Sequence, residues 1–199
     1  MNLVKQLPCL APEICDKLVD KVQELSFNRS LIYSETGELI PDKIRTSTST
    51  CIPESFDEIL SSALNATLTN WSTQVSLECP DYSKCLKLPG VTANLQTIME
   101  RIGLLRYEQE QEYFWHTDQH FTSKSKLDPY TSDTRQWSFV LYLNDDFEGG
   151  QTRVLDEIFQ PKKGTALVFP SSWHYPHTAM PVKRGIKYAA VTWYHPKFT

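Results

Sequence analysis

Apolar residues at helical spacing dominate the first part of the chain. One set begins just after Pro12, and proline is favoured in a first helical turn because its missing N–H costs little there. A second set begins near Pro53. Side chains that recur every three or four residues share one helix face. The pattern predicts two helices bracing one side of a sheet, with the faces Ile14, Leu18, Val22 and Leu25, and Phe56, Leu60, Leu64, Leu68 and Trp71.

The pattern changes from about residue 91 onward. Short runs rich in Val, Tyr, Phe and Trp alternate with turn signals, which favours an antiparallel sandwich or barrel over a parallel α/β sheet. Two polar stretches, 37–55 and 122–134, are predicted to be mobile loops. We expect a single domain over 1–199, helix-rich over 1–90 and with a β core over 91–199.

Composition supports one globular domain and narrows its partners. The 199 residues are 40% hydrophobic and 22% charged, which is ordinary for a globular chain. A net charge of −4 argues against nucleic acid, whose phosphates favour basic surfaces. No apolar run approaches the roughly 20 residues that cross a bilayer, and the start lacks a secretory apolar region. The expected location is cytoplasmic, with no membrane partner.

The cysteines form an odd set of five without zinc-knuckle spacing. Free thiols are the simplest interpretation for a cytoplasmic chain. A pairing of Cys79 with Cys85 around their short loop is the alternative.

A His-x-Asp pair, His116 and Asp118, is the first candidate for chemistry. The run 112–121 is rich in aromatics and has no Gly or Pro, which predicts a strand. Alternate residues of a strand point to the same face. A second histidine, His177, lies between the strand-like runs 165–170 and 188–194. Two imidazoles and one carboxylate are the ligand set that leaves three adjacent positions open on ferrous iron.

Lys187, ten residues after His177, completes the pattern because it opens a strand that we expect to be buried. A buried ammonium is costly unless an anion neutralises it. The distal carboxylate of 2-oxoglutarate would do so. The residues therefore favour an oxygenase that uses iron and 2-oxoglutarate.

Other histidines offer a rival metal site. His120 would lie on the same strand face as His116, and His174 lies three positions before His177. These four imidazoles could form a zinc site, and either His120 or His174 could assist at an iron site. The zinc alternative leaves Lys187 unexplained.

The ordered set of motifs resembles the prolyl 4-hydroxylases of the 2-oxoglutarate and iron(II) dependent dioxygenase superfamily. It covers roughly the last hundred residues, and in combination it is far more specific than any one motif. The matching segments are Tyr107, Tyr113, His116-x-Asp118, Arg135, Leu141–Asp145, Glu148–Thr152, Pro161–Phe169, and His177 with Pro181-Val182, Gly185 and Lys187.

The resemblance implies an α+β fold whose mainly β core is a double-stranded β-helix, or jelly roll, with flanking N-terminal helices. It makes His116, Asp118 and His177 the iron ligands and Lys187 the partner of the distal 2-oxoglutarate carboxylate. Further co-substrate positions match Tyr107, Tyr142, Thr152 and Trp193, and less secure peptide-substrate positions match Arg45, Ser47 and Arg135. Taken without the resemblance, the aromatics would be ordinary strand core residues.

The implied cofactors are Fe(II), 2-oxoglutarate as co-substrate and O2, with ascorbate as a candidate accessory reductant. The implied reaction hydroxylates a prolyl residue in a peptide or protein and yields succinate and CO2. Residues 1–90 would then form a support and substrate-loop region beside the catalytic core. Two alternatives stay open: hydroxylation of a free amino acid or small metabolite, and a non-catalytic metal-binding interaction module.

Three positions depart from the family pattern. Glu110 stands where Gly is usual, Arg153-Val154 replaces a common aromatic after the Gly-Gly turn, and Ala179 replaces a frequent Gly. None is a predicted ligand, so the departures bear on the substrate.

Overall fold

Two helices form where the apolar pattern predicts them. The computed structural model describes residues 2–33, 38–81, 97–119 and 135–196. Helix α1 spans Pro12–Gln23 and begins with its proline in the first turn, and α2 spans Glu54–Glu78. Leu18 and Leu64 of the predicted faces are fully buried. The helix predictions are confirmed.

Short strands account for about half of the described residues outside the two helices. They are β1 (Lys5–Pro8), β2 (Asn28–Arg29), β3 (Ile32–Tyr33), β4 (Leu39–Ile40), β5 (Thr48–Cys51), β6 (Thr97–Met99), β7 (Gly103–Tyr107), β8 (Tyr113–His116), β9 (Trp137–Tyr142), β10 (Glu148–Gly149), β11 (Thr152–Val154), β12 (Glu157–Phe159), β13 (Thr165–Pro170), β14 (His177–Ala179), β15 (Val182–Arg184) and β16 (Lys187–Pro196).

The strands form a large and a small antiparallel sheet. The large sheet has the order β1-β13-β9-β16-β7-β5-β2, with β6 also on β16, and the small sheet has the order β12-β11-β14-β8. Two short pairs, β3-β4 and β10-β15, complete the fold. The predicted jelly roll with flanking N-terminal helices is confirmed.

Strand alternation gives the large sheet two different faces. On β16, Tyr188, Ala190 and Tyr194 join the core cluster that contains α1 and α2. The alternate residues of β16, beginning with Lys187 and ending with Trp193, line a cavity on the opposite face. One strand therefore serves both the core and the site because its side chains repeat every two residues.

Two predictions about the first half need correction. The stretch 37–55 was expected to be a loop, but Thr48–Cys51 forms β5 and pairs with β7. Threonine is β-branched and suits a strand even where the surrounding sequence is polar. Lys5–Pro8 also joins the large sheet, on β13. The predicted helix-rich region 1–90 therefore contributes strands to the core, and the other predicted loop, 122–134, lies outside the described residues.

The described cysteines, Cys9, Cys15, Cys51 and Cys79, are free thiols. Cys85, the proposed alternative partner of Cys79, lies outside the described residues. Among the helices of the described segments, none is long and apolar enough to cross a membrane.

Candidate active site

Three side chains, His116, Asp118 and His177, converge at one edge of the small sheet. One ligand atom from each lies within 4.8 Å of the others. His116 ends β8 and is directly opposite His177 at the start of β14. Asp118 lies between them, with Oδ1 3.8 Å from His116 Nε2 and Oδ2 3.4 Å from His177 Nε2. The structure thus brings all three predicted iron ligands together.

Asp118 reaches this position in a different way from the one predicted. The strand expected over 112–121 ends at His116, and Asp118 lies in a bend that follows it. Sheet pairing therefore does not hold the carboxylate. Instead Ser138 donates a hydrogen bond to Asp118 Oδ2 over 2.7 Å, and Ser138 is itself within 2.8 Å of the Ser171 hydroxyl. Sequence reasoning missed both serines, because they meet Asp118 only through the fold.

Each histidine directs Nε2 into the cluster. Nδ1 of His116 lies 2.7 Å from the Phe114 carbonyl oxygen, and Nδ1 of His177 lies 3.1 Å from that of Tyr175. A carbonyl at Nδ1 fixes the tautomer that leaves a lone pair on Nε2. Tyr113 stacks on the His116 ring with centroids 3.4 Å apart, which restrains its rotation.

The protonation of the cluster suits a metal ion. The pKa of His116 is lowered to about 3, mainly by burial and next by the neighbouring His177. Burial alone would raise the pKa of Asp118, but the two histidines hold it well below its ordinary value. For His177, burial acts to lower the pKa, but the Asp118 carboxylate raises it above its ordinary value, so a metal ion would compete with a proton at this ring. Neutral imidazole and ionised carboxylate are the forms that bind a divalent cation.

Lys187 supplies a buried positive charge on the same side of the large sheet. Its side chain is 1% exposed, and Nζ donates a hydrogen bond to the Gly150 carbonyl oxygen over 2.7 Å. Nζ also lies 5.2 Å from the Tyr107 ring centroid and 5.4 Å from that of Tyr142. Burial lowers the pKa of Lys187 to about 7. No carboxylate of the described residues lies within ion-pair distance, so an anionic ligand fits.

One cavity of about 410 Å³ connects the metal cluster with Lys187. This volume is typical of sites that enclose small molecules. The cavity is bounded by most of the residues predicted from sequence: Arg45, Tyr107, His116, Asp118, Arg135, Thr152, His177, Lys187 and Trp193.

Two predicted residues, Tyr142 and Ser47, lie behind the cavity wall. The Tyr142 hydroxyl donates a hydrogen bond to Thr152 Oγ1 over 2.9 Å, and burial raises its pKa. Ser47 is fully buried and donates a hydrogen bond to the Ser30 hydroxyl over 3.1 Å. Tyr142 therefore supports Thr152, and Ser47 contacts Ser30 and Tyr107, of which Tyr107 lines the cavity.

The two predicted arginines both face the cavity but differ in their partners. The Arg45 guanidinium lies 4.7 Å from the Tyr113 ring centroid and donates a hydrogen bond to the Leu31 carbonyl oxygen. Arg135 binds Glu100 through two hydrogen bonds of 2.6 and 2.8 Å. Sequence reasoning missed Glu100, because a single glutamate after a short strand carries no distinctive pattern.

The geometry does not favour the four-histidine zinc site. His174 is exposed and stacks on Trp173, with ring centroids 3.6 Å apart. It is not a member of the cluster that the described residues form. His120 lies outside the described residues. A mixed His-Asp-His set matches the facial arrangement used with ferrous iron.

Comparison with known proteins identifies the core. Residues 102–195, which carry the cluster and Lys187, match the family model of the 2OG-Fe(II) oxygenase superfamily. This stretch, just under half of the chain, is therefore similar to that superfamily. A PKHD-type hydroxylase of Synechococcus sp. (strain JA-2-3B'a(2-13)) is 31% identical over 93 residues, covering 44% of this chain and 39% of that protein. The chain thus spans well under half the length of the curated relatives that it matches.

Solved structures share the fold of this chain over nearly its whole length. The collagen prolyl hydroxylase of Paramecium Bursaria Chlorella virus-1, in its 2-oxoglutarate complex, superimposes with a TM-score of 0.68 at 19% identity, covering 98% of this chain and 97% of that one. A Trichoplax adhaerens prolyl hydroxylase bound to a hypoxia-inducible-factor peptide gives 0.63 at 19% identity, covering 98% and 84%. The shared architecture is that of prolyl hydroxylases.

The departures from the family pattern lie outside the ligand cluster. Glu110 adopts a left-handed backbone with a φ of 64°, a conformation that Gly adopts without strain. The Arg153 guanidinium lies 5.3 Å from the Trp115 ring centroid on the exposed side of the small sheet. Ala179 lines the cavity. Of the three departures only Ala179 borders the cavity, and none alters the ligand cluster.

Proposed function

We propose that the protein is a dioxygenase that uses Fe(II) and 2-oxoglutarate to hydroxylate a prolyl residue in a peptide or protein. The observation that carries the proposal is that one cavity is lined both by a His-Asp-His cluster and by Lys187. The Lys187 ammonium is buried and has no carboxylate partner among the described residues. The cluster accounts for a metal with open positions, and Lys187 accounts for an anionic co-substrate.

Bound iron and 2-oxoglutarate would together couple the reduction of O2 to oxidation of a C–H bond, yielding the alcohol, succinate and CO2. The protein's own residues would hold and orient these reactants. His116, Asp118 and His177 would hold the metal. Lys187 would bind the far carboxylate of 2-oxoglutarate, with Tyr107 and Thr152 packed beside it in the wall.

The charge of the cavity favours a peptidyl substrate over a free amino acid. A free amino acid brings an ammonium group, which needs a carboxylate or several acceptors when it is buried. Among the described residues that line the cavity, Asp118 is the only acid, and it belongs to the metal cluster. Leu31, Ile32 and Leu39 add an apolar wall that suits a pyrrolidine ring.

The cofactor proposal is tested by anaerobic titration of the apoprotein with Fe(II) and 2-oxoglutarate. We expect the visible charge-transfer band of the iron complex in wild type, no band in Asp118→Ala, and a much higher 2-oxoglutarate requirement in Lys187→Ala. Lys163→Ala is the matched control, since Lys163 pairs with Asp16 on the surface. Folded wild-type protein that binds iron but shows no band would overturn the oxygenase proposal and favour a non-catalytic metal-binding module.

The substrate proposal is tested by turnover. Proline-containing peptides should stimulate succinate formation and gain one oxygen atom by mass spectrometry, whereas free proline should not. Stimulation by free proline or another small metabolite alone would replace the peptide substrate with that class.

A further inference from the structure

The bend that carries Asp118 is held by a chain of polar contacts that begins outside the cavity. Asp118 has left the strand, so β-sheet hydrogen bonds do not fix its backbone. On the cavity side the Trp193 indole lines the same cavity as the Asp118 carboxylate and helps to lower its pKa. On the backbone side Arg135 Nη1 approaches the Asp118 carbonyl oxygen at 3.4 Å. Arg135 therefore contacts the Asp118 backbone, while Trp193 lies on the side of its carboxylate.

Arg135 also fixes Trp193. Its guanidinium carbon lies 3.6 Å from the Trp193 ring centroid, which is the distance of direct cation–π stacking. The same guanidinium forms a two-pronged pair with Glu100, through Nε to Oε1 at 2.6 Å and Nη2 to Oε2 at 2.8 Å. Such forked pairs fix the plane of the guanidinium as well as its position. The orientation of Arg135 over Trp193 is thus set by Glu100.

Glu100 is itself held on three sides. Burial acts to raise its pKa, but Arg135 and His195 keep that pKa below its ordinary value, so the carboxylate is ionised. His195 Nε2 lies 2.5 Å from Glu100 Oε1, and the Thr192 hydroxyl donates to the Glu100 carbonyl oxygen over 2.7 Å. Both partners come from β16, the strand that also carries Trp193.

We infer that Glu100 is a positioning residue for the iron site, acting through Arg135 and Trp193 on the Asp118 ligand. The inference rests on the proposed iron binding. It also gives Arg135 a role in holding the metal ligand, beyond the substrate contact that the sequence predicts. Groups bonded directly to a metal ligand typically change metal affinity or activity by about 10–100-fold when lost, and Glu100 acts one contact further out, so we expect the lower end of that range.

The test measures Fe(II) affinity, which needs no turnover. Glu100→Gln keeps the size of the side chain and removes its charge, and we expect Fe(II) affinity to fall by about tenfold or more. Glu78→Gln is the matched control. It breaks the pair with Lys5, whose side chain is 15% exposed, as that of Arg135 is. The control should bind Fe(II) as wild type does.

A second variant separates positioning from folding. Arg135→Lys keeps the positive charge, but an ammonium cannot both form two parallel hydrogen bonds with Glu100 and stack on Trp193. It should therefore show the same loss of Fe(II) affinity. The double variant should be little worse than either single one, because both act through one unit. Glu100→Asp should recover part of the affinity if its shorter carboxylate still reaches Arg135. If Glu100→Gln fails to fold by near-ultraviolet circular dichroism, the Arg135→Lys affinity decides.

The outcomes distinguish this inference from the proposed function. Wild type that takes up no Fe(II) would overturn both. Wild type that binds Fe(II), with Glu100→Gln or Arg135→Lys binding it equally well, would overturn this inference alone. A loss of thermal stability without a loss of Fe(II) affinity would do the same, since it would show a merely structural ion pair.

Discussion

The two faces of the large sheet are built from the same strands but bury opposite kinds of residue. The helix-side face packs apolar groups such as Phe139, Leu141 and Ala190 against α1 and α2. The cavity-side face buries Lys187 at 1% exposure, and Asp118 and His177 are buried opposite it. The first face supplies stability through apolar burial. The second buries charges that oppose folding unless ligands compensate them.

The contrast shows how one strand can serve both purposes. Neighbouring side chains of β16 point to opposite faces of the sheet. Lys187 therefore lines the cavity, whereas the adjacent Tyr188 packs in the core beside the helices. Stability and ligand binding should therefore respond separately to substitutions on the two faces. The predictions that follow test this separation, from the largest expected effect to the smallest.

Leu64→Ala tests the helix-side face. Leu64 is 1% exposed within α2, and removing a buried leucine side chain typically costs about 2–5 kcal/mol of unfolding free energy. We expect that loss in urea unfolding of the apoprotein, with unchanged Fe(II) affinity at temperatures where the variant is folded. Leu77→Ala, at the exposed end of the same helix, is the control. A parallel fall in Fe(II) affinity would show that the two faces are not independent.

Lys187→Met tests the cavity-side face, where we expect the substitution to stabilise the protein rather than destabilise it. Exchange of buried charge for an apolar group of similar volume can stabilise a protein by roughly 1–4 kcal/mol. We expect the apoprotein to unfold at higher urea, while 2-oxoglutarate binding weakens by at least about 2 kcal/mol, or roughly 30-fold. Lys163→Met, on the surface, should change neither. Destabilisation by Lys187→Met would mean that the ammonium is well compensated before any ligand binds.

The stability gain of Lys187→Met should depend on pH. Burial lowers the pKa of Lys187 from 10.5 to about 7 in the folded chain. The unfolded chain therefore binds more protons between these values, and the wild type loses stability as pH falls from 10.5 to 7. The advantage of the methionine variant should be full below pH 7 and should shrink toward pH 10.5.

The affinity for 2-oxoglutarate should fall as pH rises above about 7 in Fe(II)-loaded protein. Binding of a carboxylate needs the charged ammonium, and a free-protein pKa of about 7 means that binding takes up a proton above this value. We expect close to a tenfold loss of affinity per pH unit. Titration calorimetry in two buffers of different ionisation enthalpy measures the proton uptake directly. Lys187→Arg, which stays charged, should give a flat profile.

The sequence predicted those features that depend on residues near one another in the chain. Helical spacing identified both helices, and the position of Lys187 at the start of an apolar strand predicted its burial. It also identified the His-x-Asp pair, although the strand ends at His116 and a bend carries Asp118. Contacts made across the fold had no such pattern. Ser138 reaches Asp118 from 20 residues away, and Arg135 reaches Glu100 from 35.

Glu110→Gly tests the smallest expected effect, which is backbone strain in the turn between β7 and β8. The sequence marked Glu110 as a departure from the family's usual Gly, and the structure gives the physical reason, a φ of 64°. A left-handed conformation costs a residue with a side chain about 1 kcal/mol relative to glycine. We therefore expect Glu110→Gly to gain about 1 kcal/mol of unfolding free energy with unchanged Fe(II) affinity, as measured by urea unfolding and metal titration.

The control for this prediction lies one residue away. Gln109 pairs with Val182 and has no left-handed backbone, so Gln109→Gly should instead lose roughly 0.5–1 kcal/mol through the greater freedom of the unfolded chain. Opposite signs at neighbouring positions would assign the effect to φ. A loss at both positions would show that the Glu110 side chain contributes contacts that outweigh its strain, and that this departure from the family pattern stabilises the turn.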